Sequence, residues 1–190
     1  MINQNFVYLA VILSFLGGTT YLKDTLQGKA QPNRVTWFLW MLFPTIGFLA
    51  EIQKGVGIQS LLTFMVGFNP ALILIASFFS KKAVWKLGTL DYVCGAVALL
   101  ALVCWQLTND ANVAILFSVL ADGLAAVPTV VKSYRYPQTE NYIIYLCGSL
   151  SAVITLLTIQ QWAFQYFAFP LYIFLMNGLL TFFIVRKKRA

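Results

Sequence analysis

Two asparagines fall in the middle of long apolar runs, where an amide needs a partner or a ligand. Asn69 lies about 11 residues and Asn177 about 13 residues into its run, which places both near the middle of a bilayer at about 1.5 Å per helical residue. An amide in that setting must be hydrogen-bonded or must face a wet cavity. Because amides both donate and accept, the pair suits the hydroxyl groups of a neutral polar ligand. The alternative is that each amide only holds neighbouring helices together.

Asp122 is a third polar group at similar depth, about nine residues into another apolar run. A carboxyl group taken out of water favours its neutral form, because burial penalises the charge. Acids inside membrane segments are candidates for function. Two roles are open for Asp122, namely proton coupling and service as a counter-ion for a cationic group of the ligand. The alternative is a protonated carboxyl group with a purely structural hydrogen bond.

The residue types that most enzymes use are missing or scattered. The sequence contains no histidine, which excludes imidazole zinc sites, haem ligation by histidine and Ser-His-Asp triads. The cysteines Cys94, Cys104 and Cys147 fall in apolar runs without a Cys-x-x-Cys pair, so we expect them to pack as small apolar side chains. We therefore expect no catalytic residue, no metal site and no cofactor, and the protein is not predicted to be an enzyme.

The composition places these residues in a membrane protein. Of the 190 residues, 60% are hydrophobic and only 10% are charged, against about 45–50% and about 25% in ordinary soluble domains. So few charges cannot cover a surface exposed to water. An all-α integral membrane protein is predicted, with seven transmembrane helices near residues 5–26, 35–53, 58–80, 87–108, 113–133, 142–160 and 164–185.

The basic residues predict the orientation of these helices. All but one of the 13 Lys and Arg residues lie in or beside the first, third and fifth connections or in the C-terminal tail, and Lys54 is the exception. Since cytoplasmic loops are enriched in Lys and Arg, the N-terminus is predicted outside and the C-terminus inside. This asymmetry and the attraction to anionic headgroups explain the net charge of +7. No nucleic-acid partner is expected.

Side chains near the predicted helix ends leave alternatives open. The tryptophans lie close to span ends, as interface anchors do. Trp37 and Trp40 share a helix face, so they could instead wall a pocket near the cytoplasmic side. Lys132 is expected to extend toward the cytoplasmic interface. The alternative is that it pairs with Asp24 or Glu140 in a gate.

Helix-breaking residues inside the spans predict points of bending. A proline removes one backbone hydrogen bond and can kink its helix, which a membrane tolerates where neighbours or water satisfy the freed carbonyl. Hinges on several helices would suit rocking between inward-open and outward-open states, and static kinks are the alternative. The predicted hinge residues are Pro44, Pro70, Pro128 and Pro170, together with Gly17 and Gly18 in the first helix.

Correspondences between the two ends of the chain indicate an internal repeat. Asn69 aligns with Asn177 at an offset of 108, and Lys23 aligns with Lys132 at an offset of 109. Both triplets of helices would start outside and end inside, so they are predicted to be parallel repeats related by an axis along the membrane normal. The predicted organisation is a three-helix repeat over 1–83, a linking helix over 84–110 and a second three-helix repeat with a basic tail over 111–190, a 3+1+3 architecture.

A resemblance to the PQ-loop pattern is carried by Pro128-Thr129-Val130-Val131-Lys132-Ser133-Tyr134-Arg135 and Thr139-Glu140-Asn141. In that pattern, Pro-Gln near a helix end precedes a Lys/Asn-aromatic-basic run and a Ser-Thr-Glu loop. The sequence departs from it at Thr129, which replaces the glutamine, and in the first repeat, where Thr19-Thr20 lacks a proline. PQ-loop proteins and the related SWEET sugar carriers have the 3+1+3 architecture with the N-terminus outside. The resemblance implies a divergent member of this group, in which Asn69 and Asn177 would line the solute pocket.

These features together predict a multi-pass carrier for a small polar solute, such as a sugar, an amino acid or a vitamin-like compound. It would work by alternating access around a midplane site, and proton coupling is open. A non-transporting receptor or sorting protein of the same fold is the alternative. Short loops favour a bacterial inner membrane. The expected partners are a small-molecule solute and the lipid bilayer. The sequence leaves the oligomeric state open between a monomer and a homo-oligomer. The expected solute-binding residues are Asn69, Asn177, Asp122, Phe68, Tyr145 and Phe174.

Overall fold

The structure is a computed structural model that describes residues 1–80, 85–106 and 110–186, apart from the side chains at 101, 102 and 104–106. Within these ranges the chain forms seven α-helices and one short 3-10 helix over Pro137–Thr139, with no strand. The helices are α1 (Phe6–Leu26), α2 (Arg34–Gln53), α3 (Ser60–Phe79), α4 (Thr89–Gln106), α5 (Ala111–Arg135), α6 (Tyr142–Thr158) and α7 (Phe164–Arg186).

The prediction of an all-helical chain with seven helices is confirmed for the described residues. Five helices are long and apolar enough to cross a membrane, namely α1, α2, α3, α5 and α7. Shorter apolar stretches lie in α4 (Thr89–Leu100) and α6 (Tyr142–Thr158). The chain is therefore a multi-pass membrane protein of the all-α class.

Some predictions concern residues outside the described ranges. The boundary between 83 and 84 is one of them. The others are part of the basic third connection and most of the basic tail, which comprise Lys81, Lys82, Lys187, Lys188 and Arg189.

Short polar side chains begin three of the helices. Asn33, Asp110 and Asn141 accept hydrogen bonds from backbone N–H groups in the first turns of α2, α5 and α6 respectively. These caps satisfy donors that have no partner within the helix. Asn33 also donates to the buried carboxylate of Asp91 on α4, so it ties the start of α4 to the start of α2.

The helices pack around a common centre. α3 packs against both α1 and α2, and α7 packs against both α5 and α6. The two groups meet where α1 packs against α6 and α2 packs against α5. α4 lies against α5 and α2 at the side of this arrangement. The six other helices thereby surround a central space.

The predicted hinge prolines all lie inside helices. Pro44 is in α2, Pro70 in α3, Pro128 in α5 and Pro170 in α7, and each is buried. Prolines are tolerated in membrane helices where neighbouring helices surround them, and the burial of these four prolines fits that setting. A role as hinges stays a prediction.

Gly17 and Gly18 lie inside α1 where that helix comes closest to its neighbours. A Cβ atom on Gly17 would lie 2.6 Å from the Cβ of Cys147 on α6. A Cβ atom on Gly18 would overlap the amide of Asn69 on α3. The missing side chains therefore allow α1 to approach two helices at once, which is a packing role independent of any hinge.

Candidate functional site

A cavity of about 60 Å³ lies in the middle of the bundle. Its lining residues come from α1, α2, α3, α5, α6 and α7. Four of the six predicted solute-binding residues line this cavity, and so does the predicted hinge residue Pro70. The four are Asn69, Asp122, Tyr145 and Asn177.

The remaining two predicted residues, Phe68 and Phe174, do not line the cavity. Their side chains are 38% and 39% exposed on the outer surface of the bundle. The helical period explains this placement, since successive side chains on a helix point about 100° apart. On α3 the cavity is lined by residues 62, 65, 66, 69 and 70. This spacing of three and four residues defines one face of the helix, and Phe68 is not on that face. Phe174 is off the corresponding face of α7 in the same way.

Asn69 is held by α1. Its Nδ2 donates to the backbone oxygen of Ser14 at 3.0 Å and to the Ser14 Oγ at 3.2 Å. Its Oδ1 is buried and finds no hydrogen-bond partner among the described residues. Asn177 is half-buried on α7, and its amide packs so closely on Gly148 of α6 that a Cβ atom there would overlap it. Both asparagines line the cavity, Asn69 from α3 and Asn177 from α7.

Asp122 is 2% exposed and is bonded on one side only. Its Oδ2 accepts a hydrogen bond of 2.6 Å from the hydroxyl of Tyr172 on α7. Its Oδ1 is buried, with no partner in the part of the chain that the structure describes. Its backbone oxygen accepts from Trp40 Nε1 at 3.3 Å. Sequence reasoning missed Tyr172, although this ring lies one helical turn before Met176, within the stripe that ends at Asn177.

Trp37 and Trp40 wall the cavity and are not interface anchors. They are 1% and 7% exposed, and both contribute to the lining. The physical reason is that α2 is enclosed by α3 and α5, so this face of α2 meets protein. The pocket alternative therefore holds for these two residues. Trp162, at 63% exposure, lies on the surface as an anchor would.

Lys132 and Glu140 form a buried ion pair near the C-terminal end of α5. Lys132 Nζ lies 2.7 Å from Glu140 Oε1, and the two side chains are 1% and 0% exposed. The expectation that Lys132 extends to the interface is therefore wrong, because the carboxylate of Glu140, eight residues further along the chain, compensates its charge inside the protein. The ammonium group also donates to the backbone oxygen of Gln31 and lies 4.6 Å from the centre of the Trp85 ring.

Two tyrosines complete the surroundings of Glu140. The hydroxyls of Tyr21 on α1 and Tyr145 on α6 both donate to Oε2 at 2.9 Å. Asn141, the next residue, donates to Asp24 Oδ2 at 2.6 Å. Side chains from α1, α5 and α6 therefore meet at the Glu140 carboxylate, and the α1–α2 connection contacts the Lys132 ammonium group through Gln31.

Four aromatic rings, Tyr21, Trp37, Trp40 and Tyr145, form an aromatic layer that joins this carboxylate to the cavity. Their successive ring centres are 4.6 Å apart for Tyr21 and Trp37, 5.3 Å for Trp37 and Trp40, and 6.4 Å for Trp40 and Tyr145. All four are at most 7% exposed. Tyr145 belongs to both sites, since its ring lines the cavity and its hydroxyl bonds to Glu140.

The opposite end of the bundle is built differently. There Lys54 Nζ lies 3.9 Å from Asp110 Oδ1, and the two side chains are 35% and 53% exposed. A polar pocket of about 240 Å³ lies at this end, lined by side chains that include Gln4, Gln59 and Gln160. This end therefore offers room and exposed polar groups, where the other end offers a buried ion pair.

Glu51 is a buried acid that sequence reasoning missed. It is 2% exposed on α2, and its Oε1 accepts from Thr63 Oγ1 at 3.0 Å. Its Oε2 has no partner within the described ranges. The available signal was an acidic residue just inside the end of the predicted span 35–53. Glu51 is not among the residues that line the central cavity.

Among the described residues, no group of three or more His, Cys, Asp or Glu side chains lies together in a way that could hold a metal ion. Comparison of the chain with protein-family models, with curated proteins and with solved structures gave no match. The site must therefore be interpreted from its own geometry.

Proposed function

We propose that the protein is a membrane carrier for a small polar solute that binds in the central cavity. The observation that carries the proposal is that Asn69, Asp122 and Asn177 line one cavity, and that two buried oxygens of these residues, Asn69 Oδ1 and Asp122 Oδ1, have no hydrogen-bond partner among the described residues. Buried polar atoms in proteins are almost always hydrogen-bonded. Two unsatisfied oxygens on residues of the cavity lining therefore support a solute, or water in its absence, as their partner when the surrounding helices move apart.

The size of the cavity supports a carrier that closes around its solute. A volume of about 60 Å³ accommodates only a few water molecules, since each needs about 10–15 Å³, whereas sites for small organic ligands span about 300–1,000 Å³. A sugar or an amino acid would need the helices to move apart. Buried prolines in four of the surrounding helices would ease such a movement.

The packing supports two three-helix repeats. In each proposed repeat the third helix packs against the first and second, and the first helix of each repeat packs against the second helix of the other. Two copies related by an axis along the membrane normal would give this arrangement. With α4 as the link, the proposed architecture is 3+1+3, as in PQ-loop and SWEET-like carriers. The proposed membrane is a bacterial inner membrane. With the N-terminus outside, the Lys132 end of the bundle would lie at the cytoplasmic face of that membrane.

Asp122 is the proposed coupling group. Its position between a tyrosine hydroxyl and the cavity supports two modes of action, which are exchange of a proton and direct attraction of a cationic solute. Flux measured at several pH values distinguishes these modes. Asp122→Asn keeps the shape of the side chain, so a change in the pH profile would report on the carboxyl group itself.

The proposal is tested by thermal unfolding of the purified protein against a panel of sugars, amino acids, vitamins and nucleosides. A solute that binds only the folded state raises its stability according to RT ln(1 + [L]/Kd). Each stabilising solute is then offered as a radiolabelled substrate to proteoliposomes. Uptake that Asn177→Ala abolishes and Phe174→Ala leaves intact supports the carrier. Binding without uptake would replace it with the receptor or sorting function.

A further inference from the structure

We propose that the Lys132–Glu140 ion pair and the aromatic layer form a gate that closes the central cavity toward the Lys132 end. The inference rests on the proposed carrier function, because a gate is needed only where the cavity opens alternately to two sides. It assigns a role in solute access to Lys132, Glu140, Tyr21 and Tyr145. These residues are bonded to one another on the side of the aromatic layer that faces the Lys132 end.

The connectivity of the ion pair is what a gate requires. Glu140 lies in the α5–α6 connection, yet its carboxylate is bonded to side chains from α1, α5 and α6. α1 belongs to the first proposed repeat, and α5 and α6 belong to the second. Separating the two repeats at this end therefore breaks the bond from Tyr21 to Glu140, whereas the bonds from Lys132 and Tyr145 lie within the second repeat. The backbone oxygen of Gln31, which accepts from Lys132, adds the α1–α2 connection to the same contact.

Burial makes the contact selective for the closed state. With side chains at most 1% exposed, the ions attract each other in surroundings of low dielectric constant, where the attraction is strongest. The aromatic layer separates this pair from the cavity, and Trp85 covers the ammonium group. Water that reached the pair would solvate both ions and weaken their attraction. The attraction between Lys132 and Glu140 is thus strong while water is excluded and weak once water reaches the two ions.

The opposite end supplies the contrast. The ion pair there joins the end of α2 to the start of α5, but at 3.9 Å and with both partners substantially exposed. Such pairs contribute little to stability. The larger polar pocket at that end is consistent with easier opening there. The structure therefore combines a tightly closed Lys132 end with a loosely closed opposite end.

Tyr145 is the positioning residue that connects gate and cavity. Its ring lines the cavity while its hydroxyl holds Glu140. A solute that displaces this ring would also draw the hydroxyl away from the carboxylate. Tyr21 donates to the same oxygen without lining the cavity, so the two tyrosines differ in this one respect.

The gate is tested by thiol labelling, which needs no identified solute. Met176, on the cavity wall, is replaced by cysteine in a full-length protein that carries Cys94→Ala, Cys104→Ala and Cys147→Ala. A membrane-impermeant methanethiosulfonate is applied to right-side-out and inverted vesicles. Gln138→Cys and Gln161→Cys, exposed at the Lys132 end and the opposite end respectively, calibrate access from each side.

The decisive variant is Lys132→Met combined with Glu140→Gln, which removes both charges and leaves no ion unpaired. Since a minor conformation is commonly populated at about 0.1–10%, we expect labelling from the Lys132 side to accelerate by about tenfold or more. Tyr145→Phe, which removes one bond and keeps the ring, is expected to give a smaller acceleration. The matched control is Lys54→Met with Asp110→Asn, which should leave labelling from the Lys132 side unchanged.

Unchanged labelling in the Lys132→Met, Glu140→Gln variant would overturn the gate, as would an equal acceleration by the Lys54→Met, Asp110→Asn control. Failure of the gate is distinct from failure of the carrier. Solute flux with unaltered labelling would reject the gate alone. Accelerated labelling in a protein that binds a solute of the panel but does not move it would keep this contact as the barrier between the cavity and the Lys132 end and would reject the carrier.

Discussion

Replacing Glu140 by glutamine should destabilise the protein far more than the loss of one hydrogen bond would. The substitution leaves the Lys132 ammonium group buried, with a side chain only 1% exposed and no anionic partner. Removing one member of a buried ion pair typically costs about 3–5 kcal/mol, because an uncompensated charge stays behind. The amide oxygen of the introduced side chain could still accept from one of the two tyrosines, so their contribution is lost only in part. We therefore expect a loss of about 3–5 kcal/mol in the free energy of unfolding.

The double variant Lys132→Met, Glu140→Gln should be more stable than the single variant Glu140→Gln. With the lysine gone, no buried ion lacks a partner, and replacement of whole buried pairs by neutral groups is often close to neutral. The sum of the two single losses should therefore exceed the loss in the double variant by several kcal/mol. This difference is the interaction energy of a double-mutant cycle.

The assay is reversible unfolding in mixed detergent micelles, followed by tryptophan fluorescence and repeated by circular dichroism. Lys54→Met is the control, because its partner lies at 3.9 Å and both side chains are partly exposed. Exposed pairs are worth about 0–1 kcal/mol, so this variant should lose no more than that. A loss below about 1 kcal/mol for Glu140→Gln, or additive losses in the cycle, would refute the reasoning that the Lys132–Glu140 pair is shielded from water.

Three further predictions follow from the packing and the cavity. Gly18→Ala should lose about 1–3 kcal/mol in unfolding titrations, because the new methyl group overlaps an amide of α3. Gly123→Ala, whose added carbon would have its nearest neighbour at 3.7 Å, should lose little, and equal losses would contradict the close approach at α1. Asn177→Ala should abolish the thermal shift produced by a bound solute, whereas Phe174→Ala on the outer surface should retain it; the reverse result would move the site out of the cavity. Asp122→Asn should remove the pH dependence of uptake in proteoliposomes, and an unaltered pH profile would exclude proton coupling at this carboxyl group.

The helices could be predicted from sequence because each depends on a local pattern. A long apolar run must form a helix in a membrane, since its backbone groups have no other partners there. The ends were predictable within a few residues because Asn33, Asp110 and Asn141 cap helices by side-chain bonds to the first turn. The depth of Asn69 followed from the same count of residues along a run.

The orientation of side chains around each helix was harder to predict. Phe68 is next to Asn69 in sequence, but neighbours in sequence point to different sides of a helix. Trp37 and Trp40 show the opposite case, because their spacing correctly suggested one shared face. The same criterion identifies Tyr172, which lies four residues before Met176 on the cavity-lining face of α7. Helical spacing thus carries more information about a binding site than adjacency does.

The surroundings of Lys132 depended on contacts that no local pattern contains. A lysine near a helix end normally extends to the interface, and its burial requires compensation of its charge. Glu140 supplies that charge, but Tyr21 holds Glu140 from a position 119 residues away. Only the packing of α1 against α6 brings the tyrosine there. The sequence therefore allowed a pairing of Lys132 with Glu140 as one alternative. The bonds that surround this pair could be identified only from the structure.

Burial and charge at the Lys132 end support each other, and in the proposed gate this would make opening cooperative. The four rings of the aromatic layer exclude water from the ion pair, which keeps the attraction between the ions strong. The ion pair in turn holds α1, α5 and α6 together, which keeps the rings packed. Partial opening would admit water, weaken the pair and remove the restraint on the rings. If the proposed gate opens in this way, intermediate degrees of opening are less stable than either end state, which is the bistability that a switch between closed and open conformations needs.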